Sequence, residues 1–280
     1  MRGTLRRFAR DRAALLGLCI VGPLLLAAVF APVLAPHPND IVVFHLERRL
    51  LPPSADALLG TDRMGSDILS RLLFGARTTL MLAGVTVGAA LLIGVPVGLV
   101  AGYHSNWMSE ALMRLAEIFL AVPQIVLAIA IAQTLGPSLD NAVLALTLTY
   151  WPFWARLVYA ETRSIRNEVF IESAIALGAS AWRVILLHIL PAIASPIIVR
   201  TSIGIGATIL TAATLGFLGL GPPATTPEWG RMIAESREYL PEAWWYALAP
   251  GVAIFLTVLG FNLVGDGLRD ILDPKTRNDA

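Results

Sequence analysis

The sequence predicts an all-α integral membrane protein with six transmembrane helices, on the basis of three observations. Of its 280 residues, 56% are hydrophobic and only 15% are charged, so the chain is far more apolar than an ordinary soluble domain. The charged residues are segregated, which leaves six long windows that contain no Asp, Glu, Lys or Arg. Five of these windows reach the about 20 residues that an apolar helix needs to cross a bilayer.

The sixth window, 141–155, is long enough if it extends to Tyr159 and Arg156 reaches the membrane interface with its side chain. The first window follows a short tail, 1–12, and is longer than the roughly 7–15 apolar residues of a signal-peptide core, so we expect it to be retained as a span. The absence of a repeat or linker in the sequence predicts a single transmembrane domain over 1–280. The predicted spans cover about residues 13–36, 78–103, 115–137, 141–159, 196–218 and 243–265.

The distribution of basic residues predicts the orientation. With the amino terminus inside, Lys and Arg number five, zero, four and three in the inner segments 1–12, 104–113, 156–192 and the tail from 266. They number five, zero and two in the outer segments 37–77, 140 and 228–242. Since Lys and Arg favour the cytoplasmic side, both termini are expected in the cytoplasm, although the five arginines of 37–77 oppose this orientation.

Small residues repeat at every fourth position on two predicted spans. Such ridges let helix backbones approach closely in a membrane, and we expect packing within the chain to be their main role. The two ridges are Gly94, Gly98 and Gly102 on the second span, and Gly204, Thr208, Ala212 and Gly216 on the fifth.

The sequence gives no sign of catalysis or of an energy source. The only lysine, Lys275, stands in "DPKT", so the chain lacks a phosphate-binding loop. The four histidines are scattered and Cys19 is the only cysteine, so no metal site is expected. The six charge-free windows carry no ionisable residue of the kind that ion-coupled carriers place in the membrane. A net charge of +1 gives no indication of nucleic-acid binding.

The stretch "IESAIALGASAWRVILLHILP" (171–191) is apolar but carries charged residues. Its apolar positions recur at helical spacing, Gly178 is suited to end one short helix, and Pro191 is suited to stop the next or to open the fifth span. We therefore predict a cytoplasmic loop, 160–192, with two short amphipathic helices beneath the membrane. From the residues alone, such helices either rest on lipid or dock a cytoplasmic partner.

The same stretch resembles the cytoplasmic loop of permease subunits of binding-protein-dependent ABC importers. That loop has Glu-Ala-Ala, three residues, Gly, nine residues and Ile-x-Leu-Pro, and the spacing is kept here with Ser173 and His188 as departures. The resemblance implies a coupling helix that docks into a groove on an ATPase. The residues that it implies for this coupling are Glu172, Ser173, Ala174, Gly178, Arg183, Leu190 and Pro191.

A second segment, "LLGTDRMGSDILSRLLFGAR" (58–77), resembles the segment that marks the dipeptide, oligopeptide and nickel branch of that family. Its motif residues are Gly60, Thr61, Asp62, Gly65 and Asp67. "LGPSLDN" (135–141), "FLGLGPPATTPEWGRMIAESREYL" (217–240) and "FNLVGDGLRDILDP" (261–274) are also similar to that branch, and the combination looks like the second of its two permeases.

The resemblance implies the fold of a type I ABC importer permease in the bacterial plasma (inner) membrane. It implies as partners a homologous second permease, two cytoplasmic ATPase subunits and an extracytoplasmic solute-binding protein, beside membrane lipid. ATP and Mg²⁺ would bind to the ATPases, and no cofactor is expected on this chain. Peptides, nickel complexes and related solutes remain open as cargo.

Two outer segments have physical interpretations of their own. In 58–77, Ser66 is suited to cap a helix that braces the outer end of the second span. In 219–242, turn-forming residues precede an amphipathic helix on which Trp229, Arg231 and Met232 are candidates for an outer rim that contacts the binding protein. Packing of that helix on the membrane surface is the competing interpretation.

Two other classes of function remain open at this point. A self-sufficient secondary transporter or channel would transport without partner subunits and would tolerate changes at Glu172 and Gly178. A membrane scaffold would use the inner and outer amphipathic helices for docking only.

Overall fold

The computed structural model describes residues 11–41, 43 and 45–272. Most of the predicted tail 1–12 and the end of the 261–274 motif therefore lie outside the described residues. The helices are α1 Arg12–Val29, α2 Ile68–Tyr103, α3 Trp107–Ala121, α4 Gln124–Leu135, α5 Leu139–Ile165, α6 Val169–Ala176, α7 Ala181–Ala192, α8 Ala194–Phe217, α9 Trp229–Ser236 and α10 Trp244–Leu272. Single helical turns occur at Ala31–Leu34, Pro38–Ile41, Leu46–Arg48 and Arg237–Tyr239.

Four helices, α1, α2, α8 and α10, are long and apolar enough to cross a membrane. The third predicted span, 115–137, is not one straight helix, because α3 and α4 meet at an angle of 91°. Pro123 explains the break, since proline disfavours the helical conformation of the preceding residue, and Val122 is extended with φ −92° and ψ 136°. By length and composition the described residues thus hold four spans, or five if α3 and α4 form one.

The fourth predicted span corresponds to α5, a helix of 27 residues. At about 1.5 Å per residue it is long enough to cross a bilayer, but polar side chains lower its mean hydropathy. They include Asn141, Thr147, Thr149 and Arg156. α5 also continues to Ile165, six residues past the predicted end of this span, so the cytoplasmic loop is shorter than predicted.

The helix that contains the second predicted span begins at Ile68, so the bracing helix expected after Ser66 and the span form one continuous helix. Asp67 is its N-cap, with a side chain that accepts a hydrogen bond from the Ser70 N–H at 2.8 Å. The predicted cap, Ser66, is engaged elsewhere, since its N–H donates to Asp62 Oδ1 at 2.9 Å. The charge-free window missed the first turns of this helix because Arg71 and Arg77 lie within them.

The Gly94–Gly98–Gly102 ridge packs α2 against α5, as predicted for packing within the chain. A Cβ on Gly98 would lie 2.6 Å from the Ala155 carbonyl oxygen, and one on Gly94 would lie 2.6 Å from that of Trp151. Only glycine permits so close an approach of the two backbones. On the second ridge, Gly204 faces the Trp154 ring and Gly216 faces the Glu228 carboxylate.

The α2 helix connects two buried apolar clusters at its opposite ends. Near its start, Ile68 packs with Trp229, Met232 and Tyr246 from α9 and α10. Near its end, Leu99 packs with residues of α5, α6 and α7. These two clusters position the two candidate sites of the chain, which we name the outer end and the coupling end.

Candidate functional site

The coupling end contains the two short helices that the sequence predicts, α6 and α7. Gly178 ends α6 with φ +86°, a conformation that favours glycine. The Gly178 N–H donates to Ile175 at 2.9 Å and the Ala179 N–H donates to Ala174 at 3.1 Å, which together form a Schellman cap. A Cβ on Gly178 would meet no atom within 4 Å, so the requirement for glycine lies in the backbone conformation.

Buried isoleucines anchor these helices to the transmembrane core. Ile171 on α6 and Ile185 and Ile189 on α7 pack with Leu99 of α2 and Val158 of α5. Buried apolar contacts thus connect α6 and α7 with both long helices.

The opposite face of α6 and α7 is apolar and exposed. Leu177 is 89% exposed, Leu187 65% and Trp182 63%. Phe170 and Leu186 are exposed on the same two helices. These exposed apolar side chains, with the exposed Glu172 and Arg183 among them, make α6 and α7 a candidate contact site for a protein or for lipid.

The residues implied for coupling divide between exposed and half-buried positions. Ala174 and Leu190 are half-buried. Ser173 is exposed and donates from Oγ to the Val169 carbonyl at 2.8 Å, so its hydroxyl is used within α6. Glu172, Gly178, Arg183 and Pro191 are exposed.

A π-helical turn at Ile185–Ile189 interrupts α7 just before Pro191. The Leu190 N–H donates to the Ile185 carbonyl, five residues back. Proline clashes with the carbonyl four residues before it and lacks an N–H of its own, and a π turn relieves this conflict. Pro191 therefore does not stop the helix at once, and the chain continues to Ala192 before α8 begins at Ala194.

At the outer end, the 58–77 motif folds into a buried turn that holds the start of α2. Gly60 and Gly65 have φ values of +77° and +78°, and Thr61 bridges to Asp67 as an antiparallel pair. Thr61 Oγ1 accepts from the Leu51 N–H at 2.8 Å. Asp62 is fully buried and accepts from the Met64 N–H at 2.7 Å. All five motif residues thus act within the chain, which agrees with a bracing role.

Arg71 is the centre of a buried charged network at this end. Its guanidinium pairs with Asp62, and its Nη1 lies 3.3 Å from Glu235 Oε2. The Tyr246 hydroxyl donates to the same Glu235 oxygen at 3.0 Å. The side chains of Arg71, Asp62 and Glu235 are at most 8% exposed, so each charge depends on its partners.

The predicted outer rim is corrected by the burial of two of its three residues. Trp229 and Met232 are 1% and 0% exposed, and Trp229 Nε1 donates to the Leu72 carbonyl at 3.0 Å. They pack α9 against α2. Gly75 of α2 has no side chain and so leaves room for the Trp229 indole. Arg231 alone is partly exposed, at 24%.

Glu228 is a buried carboxylate at the N-cap of α9. It accepts from the Gly230 and Arg231 N–H groups at 2.9 and 2.8 Å, and from the Thr79 hydroxyl at 3.4 Å. Burial raises the pKa of the Glu228 carboxyl to about 7, although these hydrogen bonds oppose the rise. One side chain thereby joins α2, α8 and α9 at the outer end.

Comparison with known proteins agrees with this architecture. Residues 94–278 match the family described as "Binding-protein-dependent transport system inner membrane component", and residues 1–53 match the "N-terminal TM domain of oligopeptide transport permease C". The chain belongs to this family of transport permeases. It is therefore a multi-pass membrane permease of a binding-protein-dependent transport system.

Relatives of the permease are similar over most of its length. The dipeptide transport system permease protein DppC of Alkalihalophilus pseudofirmus is 44% identical, over 99% of this chain and 90% of the relative. The probable D,D-dipeptide transport system permease protein DdpC of Escherichia coli is also 44% identical, over 91% and 85%. The inward-facing MetNI methionine ABC transporter contains a chain with a TM-score of 0.60 and 19% identity, over 74% of the permease and 98% of that chain, which shows a shared fold.

Sequence reasoning missed the buried charges of the permease at the outer end. Glu228 and Glu235 lie within the predicted amphipathic segment 219–242, but no role was predicted for them or for Arg71. The only signal in the sequence was that these charged residues stand beside apolar runs. A charged residue next to a span is either exposed to solvent or buried against an opposite charge. Whether such a residue is exposed or buried depends on which helices pack together at the outer end, and the sequence alone does not show this.

Proposed function

We propose that the permease is one half of the translocation pathway of an ABC importer for dipeptides, oligopeptides or a related solute such as nickel. The names of its relatives and the 58–77 motif support peptide cargo. The pathway is completed by a homologous second permease, and cargo arrives on an extracytoplasmic solute-binding protein. The permease resides in the bacterial inner membrane with both termini in the cytoplasm, and it requires no cofactor of its own.

The observation that carries this proposal is the two-sided character of α6 and α7. Their buried face is continuous with α2 and α5, and their exposed face is apolar. Two cytoplasmic ATPase subunits bind ATP and Mg²⁺ and close together, and one of them receives this exposed face in a groove. Closure then moves α2 and α5 through Ile171, Ile185 and Ile189, and the paired permeases change between inward- and outward-facing states. ATP shifts this equilibrium only by its different affinity for the two states.

The experiment is ATP-dependent uptake of a labelled dipeptide into vesicles that contain the two permeases and two ATPases, with binding protein added. Leu177→Glu and Trp182→Glu place a charge on the exposed face without disturbing the core. We expect both variants to assemble with the second permease but to lose uptake and stimulated ATP hydrolysis. Glu172→Lys and Gly178→Asp test the same segment.

Leu46→Glu provides a matched control, because Leu46 is 66% exposed but lies in the outer segment. It should leave uptake near the wild-type rate. Uptake that persists in Leu177→Glu and Trp182→Glu, or that persists without the ATPases, would contradict the proposal and favour a self-sufficient carrier.

A further inference from the structure

A polar cavity of about 220 Å³ lies at the outer end, between the carboxyl-terminal end of α8 and α9. Gly216 and Gly219 form one side of it, and no side chain from these positions fills the space. Arg63, Arg231, Glu235 and Glu238 supply its charged groups. At roughly 30 Å³ per water molecule, the cavity has room for about seven waters or for one terminal residue of a peptide.

The arginines of this cavity are incompletely paired. Arg63 Nη2 and Arg231 Nε lie 3.5 and 3.4 Å from the same oxygen, Glu235 Oε1. Both distances exceed the about 2.7–2.9 Å of a strong charge-assisted hydrogen bond. The other Glu235 oxygen is occupied by Arg71 and Tyr246. Glu235 is therefore shared among three guanidinium groups, of which Arg71 also pairs with Asp62 and Arg231 also donates to the Pro222 carbonyl at 3.3 Å.

Arg63 also carries a buried donor without an acceptor. Its Nε is inaccessible to solvent and has no hydrogen-bond partner among the described residues. A buried donor in this condition costs free energy. A carboxylate is the acceptor that a guanidinium binds best, through two parallel hydrogen bonds.

Glu238 also lines the cavity and is exposed, and α8 ends nearby at Phe217, where its carbonyl groups carry a partial negative charge. An ammonium group would be stabilised beside these groups. The cavity thus contains donors for a carboxylate and acceptors for an ammonium group, the two charges of a short zwitterionic peptide.

We propose that this cavity binds the terminal carboxylate of a peptide cargo through Arg63 and Arg231 before the cargo moves along the pathway. The inference rests on the proposed function, since it assigns the cargo a site on this chain. It keeps Arg231 from the predicted rim and adds Arg63, whereas Trp229 and Met232 are buried and take no part.

The test uses a thiol placed at the cavity wall of the assembled transporter in nanodiscs, without binding protein. Ala234 lines the cavity, and the only native cysteine is removed, giving Cys19→Ser with Ala234→Cys. The rate of modification of this chain by a charged thiosulfonate reagent is measured by intact mass. The probes are L-Ala-L-Ala and its carboxyl-terminal amide.

We expect L-Ala-L-Ala to slow the modification and the amide, which lacks the carboxylate, to have little effect. Arg63→Gln and Arg231→Gln should each raise the dipeptide concentration required for protection by about tenfold or more, as expected when one charge-assisted pair is lost. Arg237→Gln is the matched control, because Arg237 is exposed and does not line the cavity. Size-exclusion chromatography confirms that each variant assembles.

Equal protection by the amide, no protection by either peptide, or protection unchanged in both Arg63→Gln and Arg231→Gln would overturn the site. Protection that appears only when binding protein is added would also overturn it and would assign the cavity to protein docking. These results are independent of the uptake assay. If uptake depends on ATP but no peptide protects the thiol, only the cavity site is wrong. If a peptide protects the thiol but uptake does not depend on ATP, only the proposed function is wrong.

Discussion

Arg71 and Glu235 are 164 residues apart in the sequence, yet Nη1 of one lies 3.3 Å from Oε2 of the other in a region closed to solvent. This contact joins the start of α2 to α9 across the outer end. Together with Asp62 and Tyr246 it forms a network in which every charge has a partner of opposite sign or a hydroxyl donor.

Replacing Arg71 should therefore destabilise the permease strongly. Arg71→Met leaves Asp62 and Glu235 buried without their cation, and removal of one partner from such a network costs about 3–5 kcal/mol. The measurement is the thermal unfolding midpoint of the purified permease in detergent. Arg237→Met, at an exposed position, removes the same charge and should change the midpoint little.

The double variant Arg71→Met with Glu235→Gln distinguishes loss of the cation from loss of packing. It should recover part of the stability, because one of the two unpaired carboxylates is removed. A single Arg71→Met variant as stable as Arg237→Met would show that the network is not a source of stability.

The contact between α2 and α5 gives a second prediction. A Cβ on Gly98 would lie 2.6 Å from the Ala155 carbonyl oxygen, which belongs to the backbone and cannot rotate away. Gly98→Ala should therefore separate the helices and cost about 1–3 kcal/mol, the range for overpacking. The free energy of unfolding in mixed micelles measures this loss.

Gly88 offers a control on the same helix, because a Cβ there meets no atom within 4 Å. Gly88→Ala should be neutral or stabilising by up to about 1 kcal/mol, since alanine favours the helix over glycine. Equal losses in Gly98→Ala and Gly88→Ala would contradict close packing as the reason for the glycine ridge.

Glu228 predicts a dependence of stability on pH. Its pKa in the folded chain is raised to about 7 by burial, so the folded state binds a proton more tightly than the unfolded state does. The stabilisation from the protonated carboxyl is complete below about pH 4.5 and is lost as the pH rises through about 7. Between pH 5 and pH 8 the expected loss is on the order of 2–3 kcal/mol.

The comparison is between the unfolding midpoints of wild type and Glu228→Gln over that pH range. The amide keeps the shape and an acceptor oxygen but does not titrate, so its midpoint should fall less as the pH rises. Glu242→Gln, at an exposed position, should follow the wild-type curve. A Glu228→Gln curve parallel to wild type would show that this carboxyl does not titrate between the two states.

The sequence predicted most of the coupling end. Gly178 stands between two runs of helical periodicity and adopts a left-handed conformation, so the pattern predicts two short helices with a turn between them. Such local structure depends on neighbouring residues and can be predicted from sequence patterns. The packing role of Gly94 and Gly98 was predicted for the same reason, because small residues at every fourth position have few other uses in a span. The bend at Pro123 was missed, because a window without charged residues shows that a stretch is apolar but not whether its helix is straight.

The outer end was predicted less well because its residues act across long distances in the chain. Trp229 looked like a surface residue of an amphipathic helix until Gly75, more than 150 residues earlier, supplied the space for its ring. The pairing of Arg71 with Glu235 has the same origin. Charge and amphipathicity are visible in a sequence, but the identity of the opposing helix is not.

The length of α2 has a mechanical consequence. At about 1.5 Å per residue its 36 residues extend for roughly 54 Å, well beyond the about 30 Å of a hydrocarbon core. Pro96 is the position at which this helix would bend most easily, and it lies between Gly94 and Gly98, whose backbones are held against α5. Close contact with α5 therefore restrains α2 at the one place where its hydrogen-bonded backbone is weakest, and favours movement of the two helices as a unit.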